Sequence, residues 1–299
     1  SPPDDDEPDA AVRRPTTDLG NAERLVDQHG NDLRFIASLG WFVWDGRCWS
    51  RDETGEIFRR ARSTVRAIYQ EAARCADEDL RKRLADHARK SESRRALDAM
   101  VALAQTDARI VARAADLDAD PWLLNVANGT IDLRSGKLRA HRREDLCTKL
   151  APVAFDPDAT CPTFDAFLER VQPDPDVRDF LGRWFGYTLT ASAREHCLAF
   201  FYGGGRNGKG VFLETQRRVL GDYAVKAPRG LLVASHGGSE RHPTELMVLR
   251  GARLVWCSEV NEHDAWDEGK VKDLASEDPI TARLMHRDNV TFNPTHKLA

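Results

Sequence analysis

Eight consecutive residues, GGGRNGKG from Gly203 to Gly210, narrow the choice of folds more than any other stretch of the 299-residue chain. They follow at once on an apolar run of strand length, Cys197–Tyr202, and lead into the amphipathic run Val211–Leu220. Strand, glycine-rich loop and helix, in that order, are the setting a phosphate-binding loop needs. Glycines let successive backbone N–H groups turn toward one anion. The helix that follows adds the positive end of its dipole, and Lys209 supplies a compact charge for the β- and γ-phosphates. Gly203, Gly204, Gly205, Arg206, Asn207, Gly208, Lys209 and Gly210 are therefore expected to hold ATP, with Lys209 as the catalytic cation. A plain strand-to-helix turn carrying an exposed lysine is the competing reading.

One position departs from the pattern. The residue after the lysine normally brings a Ser or Thr hydroxyl to Mg²⁺; here it is Gly210, followed by Val211. Neither register supplies the hydroxyl. Phosphate binding by the backbone and Lys209 is expected to survive better than hydrolysis, with water in the place of the missing Mg²⁺ ligand.

Downstream, RLVWCSE (Arg253–Glu259) reads as a second apolar strand ending in an acid. Ligands of open α/β sheets lie beyond the carboxyl ends of the strands. Glu259 is thus the expected Mg²⁺ ligand and orienter of the attacking water, with a surface strand cap as the duller reading. Asp267–Ala275 reads as a helix. Ile280–Met285 and Val290–Phe292 read as a hairpin with Arg283 on one strand and His286 and Arg287 at the tip. Basic residues on a protruding loop suit DNA phosphates, which give affinity without sequence preference; a solvated turn fits equally.

The first half has another character. SPPDDDEPDA is rich in proline and acid, and residues 1–17 are expected as a disordered tail. Asn21–His29 reads as a short helix. WFVWDGRCW (Trp41–Trp49) reads as a hairpin turning at Asp45-Gly46 through a type I′ turn, its tryptophans packed in a core rather than stacked on bases. Glu56 to about Arg113 lacks proline and reads as helical. Ile57, Ala61, Val65, Ile68 and Ala72 fall on one face, and the charges of Asp77–Arg95 on the solvated side of a helical hairpin. Asn125–His141 repeats the hairpin pattern around Asn128-Gly129 and Ser135-Gly136. Prolines then bracket helices at about 163–171 and 176–189, and the domain junction is expected near residue 160.

Composition excludes several classes. With 41% hydrophobic and 31% charged residues the chain can build a globular core, and no apolar run approaches the roughly 18 residues of a membrane span. Six cysteines without a C-x-x-C pair argue against zinc or a disulfide framework and fit a reducing cytoplasm. A net charge of −4 excludes a globally basic nucleic-acid binder but leaves room for a local basic loop.

Together these residues resemble a known family. FFYGGGRNGKGVFLET, HPTELMVLRGARLVWCSE and VKDLASEDPITARLMHRDNVTFNPTHKL resemble the superfamily 3 helicase domain of phage and plasmid primase-helicases, the poxvirus-primase-like group. TDLGNAERLVDQHG, WFVWDGRCW and NVANGTIDLRSGKLRAH resemble the N-terminal module of the same proteins. The resemblance implies an AAA+-like α/β P-loop NTPase over residues 161–299, preceded over 18–160 by a mainly helical α+β module with β-hairpins. It implies an ATP- and Mg²⁺-dependent DNA helicase of phage or plasmid replication in the cytoplasm of a bacterial host. Such a protein works as a ring, usually a hexamer, on single-stranded or forked DNA, with a primase domain upstream or other replication proteins as partners and no membrane. Arg283, His286 and Arg287 match the hairpin that lines the ring's channel. The resemblance also places a sensor strand and an arginine finger beyond Ala299, so this chain alone is expected to be nearly inactive as an ATPase. A non-hydrolysing nucleotide- and DNA-binding assembly module is the alternative. A nucleotide kinase is opposed by the absent Thr after Gly210 and by the long helical first half.

Overall fold

The computed structural model describes residues 14–228, 231–234, 243–257, 265–283, 285 and 289–299. Glu259, His286 and Arg287, and the acidic stretch through residue 13, lie outside them. The chain is mixed α/β and divides into two compact units, one of residues up to 43 with 50–112, the other of 44–49 with 113–299.

In the first unit, α1 (Asp18–His29) starts where Thr17 accepts a hydrogen bond from Gly20 N at 3.1 Å. Residues 14–17, which the expected tail included, therefore make defined contacts. Arg14 pairs with Asp27 at 2.8 Å and Glu23 at 3.4 Å, and buried Arg24 binds the Arg14 and Pro15 carbonyls, each at 2.8 Å. The expected helical stretch is three helices, α2 (Glu56–Arg74), α3 (Glu78–Ser91) and α4 (Arg94–Ala104). Asp77 and Ser93 break it, because their side chains cap the helices that follow. Ile57, Ala61 and Val65 of α2 meet Leu25 and Val26 of α1 and Met100 and Val101 of α4 in one core. Ile68 and Ala72 cover Leu84 and Ala88 of α3, whose charges face solvent as expected. Past Ala104 the chain is not helical. Residues 110–112 run beside β1 (Leu33–Ile36), with Phe35 N bonded to Ile110 O and Ala112 N to Phe35 O. β1 pairs antiparallel with β2 (Gly40–Trp44), Leu33 opposite Val43, and β3 (Trp49–Arg51) completes that sheet.

The second unit begins with the turn at 44–49. The hairpin forms where expected, but of its turn residues only Gly46 has positive φ, so the turn is not type I′. Asp45 Oδ1 instead accepts from Arg47 N and Cys48 N, both at 2.8 Å. Trp44 and Trp49 are buried and pack on each other, and Trp49 Nε1 donates to Arg143 O at 2.9 Å. The tryptophans are core residues, as the packing reading holds.

A meander of β4 (Leu123–Val126), β5 (Gly129–Asp132) and β6 (Lys137–Arg139) follows. Fully buried Asn125 is its hub. Its amide donates to Arg47 O and Lys149 O, and its Oδ1 faces Thr130 Oγ1 and His141 Nδ1. After α5 (Pro162–Val171) and α6 (Pro175–Thr188) comes a parallel sheet. It is ordered β7 (Ala224–Lys226), β8 (Leu254–Trp256), β11 (Lys297–Leu298), with Leu198 bridged in parallel to Leu298 beyond β11. β8 is buried on both faces, as a central parallel strand is. Leu254 and Trp256 lie with Leu220 of α7 (Lys209–Leu220) and with Leu124 and Ile131 of the meander; Val255 lies with Leu249, Ala282 and Phe292. That shared core is why the compact units part at 112, not near 160: the meander's apolar face is covered by the parallel sheet's own layer. Lys297 and Leu298, the last residues before Ala299, are already paired in the sheet.

Candidate functional site

The glycine loop leaves the Leu198 segment at the carboxyl end of the parallel sheet. Leu198 precedes the other strands in the chain yet sits beside the last of them, so connections diverge at this point, where open sheets place ligands. The apolar run Cys197–Tyr202 is not the regular buried strand expected. It makes one bridge, at Leu198, and alternates. Phe201 packs on Phe212 at 5.8 Å, while Phe200 and Tyr202 are 64% and 83% exposed, Phe200 stacking on Tyr202 and edging Trp266.

Beneath the loop lies α5. Phe164 stacks on Phe212 of α7, centroids 6.3 Å apart and planes 13° apart, and Phe167 packs beside it. Gly208 is required here twice. Its φ is 84°, and a Cβ would stand 2.8 Å from Val171 Cγ1 and 3.0 Å from Phe167 Cζ. This platform was missed in the sequence; the spacing of Phe164, Phe167 and Val171 along one helix face was its signal.

α7 then begins at Lys209 with no side chain capping its first turn, which leaves N–H groups and the positive helix end for a ligand. Gly205 N closes onto Gly203 O at 2.9 Å, and Arg206 has φ 52°. Lys209 Nζ donates to Asn207 Oδ1 at 3.0 Å and Gly203 O at 3.3 Å, which holds the ammonium over the loop with a third N–H to spare. Around Gly204, Gly205 and Gly210 an added Cβ would meet nothing within 4 Å, so the loop is open on that side. The arrangement fits an anion. The loop itself brings Mg²⁺ no hydroxyl: Gly210 and the exposed Val211 carry no side-chain oxygen, and among the described residues no group of three or more His, Cys, Asp or Glu could hold a metal.

Of the other expected site residues only Arg283 lies among the described residues. Glu259 lies beyond Cys257, the last described residue after β8. Arg283 ends β9 (Ile280–Arg283), paired with Asn289 of β10 (Asn289–Phe292). It is exposed, on the face that carries the Thr281–Thr291 hydroxyl contact of 3.0 Å, while Ile280, Ala282, Val290 and Phe292 face the core. The hairpin is therefore as expected, with its tip residues outside the described set. α8 (Glu268–Ala275) precedes it, capped by Asp267.

Two buried cations were not anticipated. Arg253 donates to the Leu189 and Leu123 carbonyls and lies over Tyr223 at 4.5 Å. Lys297 donates to the Thr190 carbonyl and lies over Tyr187 at 4.4 Å. Both reach a carbonyl just past the carboxyl end of α6, Leu189 and Thr190, on the side of the helix's partial negative charge. Desolvation, with the Arg253 guanidinium beside it, lowers Lys297 from 10.5 to about 7, against a small opposing effect of Cys197.

Comparison with known proteins gives a family. Residues 22–173, more than half of the chain, match the family model described as D5 N terminal like. Residues 201–299 match a family of unknown function, DUF5906. "Putative helicase L207/L206" of Acanthamoeba polyphaga mimivirus is 28% identical over 186 residues, 61% of this chain and 19% of its own length. "Putative primase C962R" of African swine fever virus is 25% identical over 186 residues, 60% of this chain and 19% of its own. "Putative helicase 022R" of Frog virus 3 is 23% identical over 235 residues, 57% of this chain and 24% of its own. The match thus spans a quarter or less of these relatives' length. Among the described residues no helix is long and apolar enough to cross a membrane.

Proposed function

The chain belongs to the D5 N terminal like family, and from that membership we propose that it is the nucleotide-binding part of a replication primase-helicase whose Gly203–Gly210 loop grips ATP. The names of the viral relatives support a role in DNA replication. One observation carries the nucleotide reading: an uncapped helix start, an ammonium held over it and an open glycine wall converge on one spot. The parallel sheet order supports a P-loop NTPase core for residues 161–299.

In this reading ATP supplies the phosphoryl group that is cleaved to drive strand separation. The N–H groups of the loop and of the first turn of α7 bind the phosphates, and Lys209 leaves Asn207 to neutralise the charge that builds on them. Glu259 is proposed for Mg²⁺ and the attacking water. Arg283, His286 and Arg287 are proposed to touch DNA phosphates from the hairpin, in a ring of several copies.

The test is equilibrium ATP binding with and without Mg²⁺ by the chain and by its Lys209→Ala and Gly210→Ser variants. The expected result is binding by the chain, loss with Lys209→Ala, and stronger Mg²⁺ dependence with Gly210→Ser. No ATP binding by any of the three would refute the loop assignment. The missing hydroxyl at Gly210 favours a second reading, a non-hydrolysing nucleotide- and DNA-binding module. In a full-length protein, Gly210→Ser would then leave ATP turnover where it was, whereas a motor would speed up.

A further inference from the structure

A cavity of about 690 Å³ opens in the second unit, and no residue of the glycine loop lines it. Its walls are the segment 114–122, the turn 191–194, Arg250-Gly251, and residues 291–295 at the root of the β9–β10 hairpin. We propose that this cavity is a second binding site, for a nucleotide's phosphate ester held by Arg194 and Arg250.

Among the described residues neither guanidinium of this lining is hydrogen-bonded to a carboxylate, although Asp118 and Glu277 line the same cavity. Arg250 is largely buried, and among the described residues its guanidinium makes one hydrogen bond, Nη2 to Ala114 O at 3.3 Å, out of five N–H groups. Asp118 is the acid whose field reaches it. That carboxylate is committed elsewhere: Oδ1 accepts from Thr148 N at 2.6 Å and Oδ2 from Thr148 Oγ1 at 2.5 Å. Arg194, exposed on the opposite lining segment, has no partner among the described residues. A guanidinium in a partly dry site is stabilised by an anion that meets its planar fork, and phosphate oxygens do so in pairs.

The rest of the lining extends beyond a bare anion. Glu277 and Asn293 also line the cavity and have no hydrogen-bond partner among the described residues; their carboxylate and amide oxygens suit the hydroxyl and amino donors that a sugar and a base add to a phosphate. Small residues such as Ala115, Ala119 and Ala193 alternate with Trp122 and Phe292 in the rest of the lining, and the volume lies within the range of small-ligand sites. A free mononucleotide and a residue of a DNA strand share this chemistry.

The site does not depend on Lys209, so the test uses the Lys209→Ala chain, in which the loop is disabled. Deoxythymidine monophosphate and a single-stranded oligothymidylate are titrated by calorimetry into that chain and into the same chain carrying Arg194→Gln or Arg250→Gln. At least one probe is expected to bind, and each arginine substitution to weaken it about tenfold, the scale of one lost charge-assisted hydrogen bond. Tighter monophosphate binding identifies a free nucleotide as the ligand; tighter oligomer binding identifies a strand. Absence of binding by both probes, or binding that Arg194→Gln leaves unchanged, overturns the proposal. If Arg250→Gln does not fold, the exposed Arg194 decides alone. Failure of the loop assignment would show separately, as absent ATP binding by the unsubstituted chain.

Discussion

At the scale of single residues, neighbouring glycines of one loop do different work, and substitution separates them. Gly208→Ala drives a Cβ into Val171 and Phe167 at a left-handed φ and is expected to lower unfolding stability by about 1–3 kcal/mol in denaturant titrations. Gly203→Ala places its Cβ 2.0 Å from Asn207 Nδ2, the residue that holds Lys209. It is expected to weaken ATP binding and, at a φ of 152°, to lower stability as well, by about 1 kcal/mol. Gly210→Ser meets open space inside a helix and is expected to raise stability by a few tenths of a kcal/mol. Asn125 is the opposite case. Its side-chain capacity is filled from Arg47, Lys149, Thr130 and His141, so Asn125→Ala strands several buried groups and is expected to cost about 3 kcal/mol or more. The glycine loop was legible in the sequence because its chemistry is local. The hub was not, since an asparagine in an Asn-Gly-rich stretch reads as a turn former until its distant partners are known.

At the scale of elements, the end of α6 carries a pH dependence. Lys297 binds its proton less tightly folded, at about 7, than unfolded, at 10.5. Between those values the unfolded chain holds more protons, so this residue's contribution to stability is complete above 10.5 and is lost as pH falls through about 7. Denaturant midpoints measured at about pH 7 and about pH 10 are expected to rise with pH in the chain, and to rise less in Lys297→Met. An equal rise in both would remove Lys297 as the source. The helical stretch after Glu56 was readable in kind, because the spacing of Ile57, Ala61, Val65, Ile68 and Ala72 is a property of adjacent residues, but its breaks at Asp77 and Ser93 and its end at Ala104 were not read. The strand before the loop was read less well. An unbroken apolar run suggests burial on both faces, yet whether Phe200 and Tyr202 are covered depends on which segments lie beside them, and periodicity does not encode that. The type I′ turn failed for a related reason: Asp45 binds two N–H groups downstream and so favours another turn.

At the scale of the whole molecule, compactness does not follow chain order. Residues 44–49 belong with 113–299, although the first unit's residues flank them on both sides. A chain begun at Arg113 would lack Trp49, whose indole bonds to Arg143 O and whose N–H bonds to Cys147 O, and the Arg47 carbonyl that Asn125 binds. Such a fragment is expected to unfold at lower denaturant than the same unit within the intact chain, and to be cut by protease first near residues 141–149. Equal stability would mean that the turn contributes little. The same threading reaches back to synthesis. Trp49 leaves the ribosome 94 residues before Arg143, a wait of roughly 5–20 s at ordinary elongation rates. During that interval two large indoles have, within their own unit, only each other for cover, so the speed of translation, and whatever shelters a nascent chain, bear on whether this protein reaches its fold.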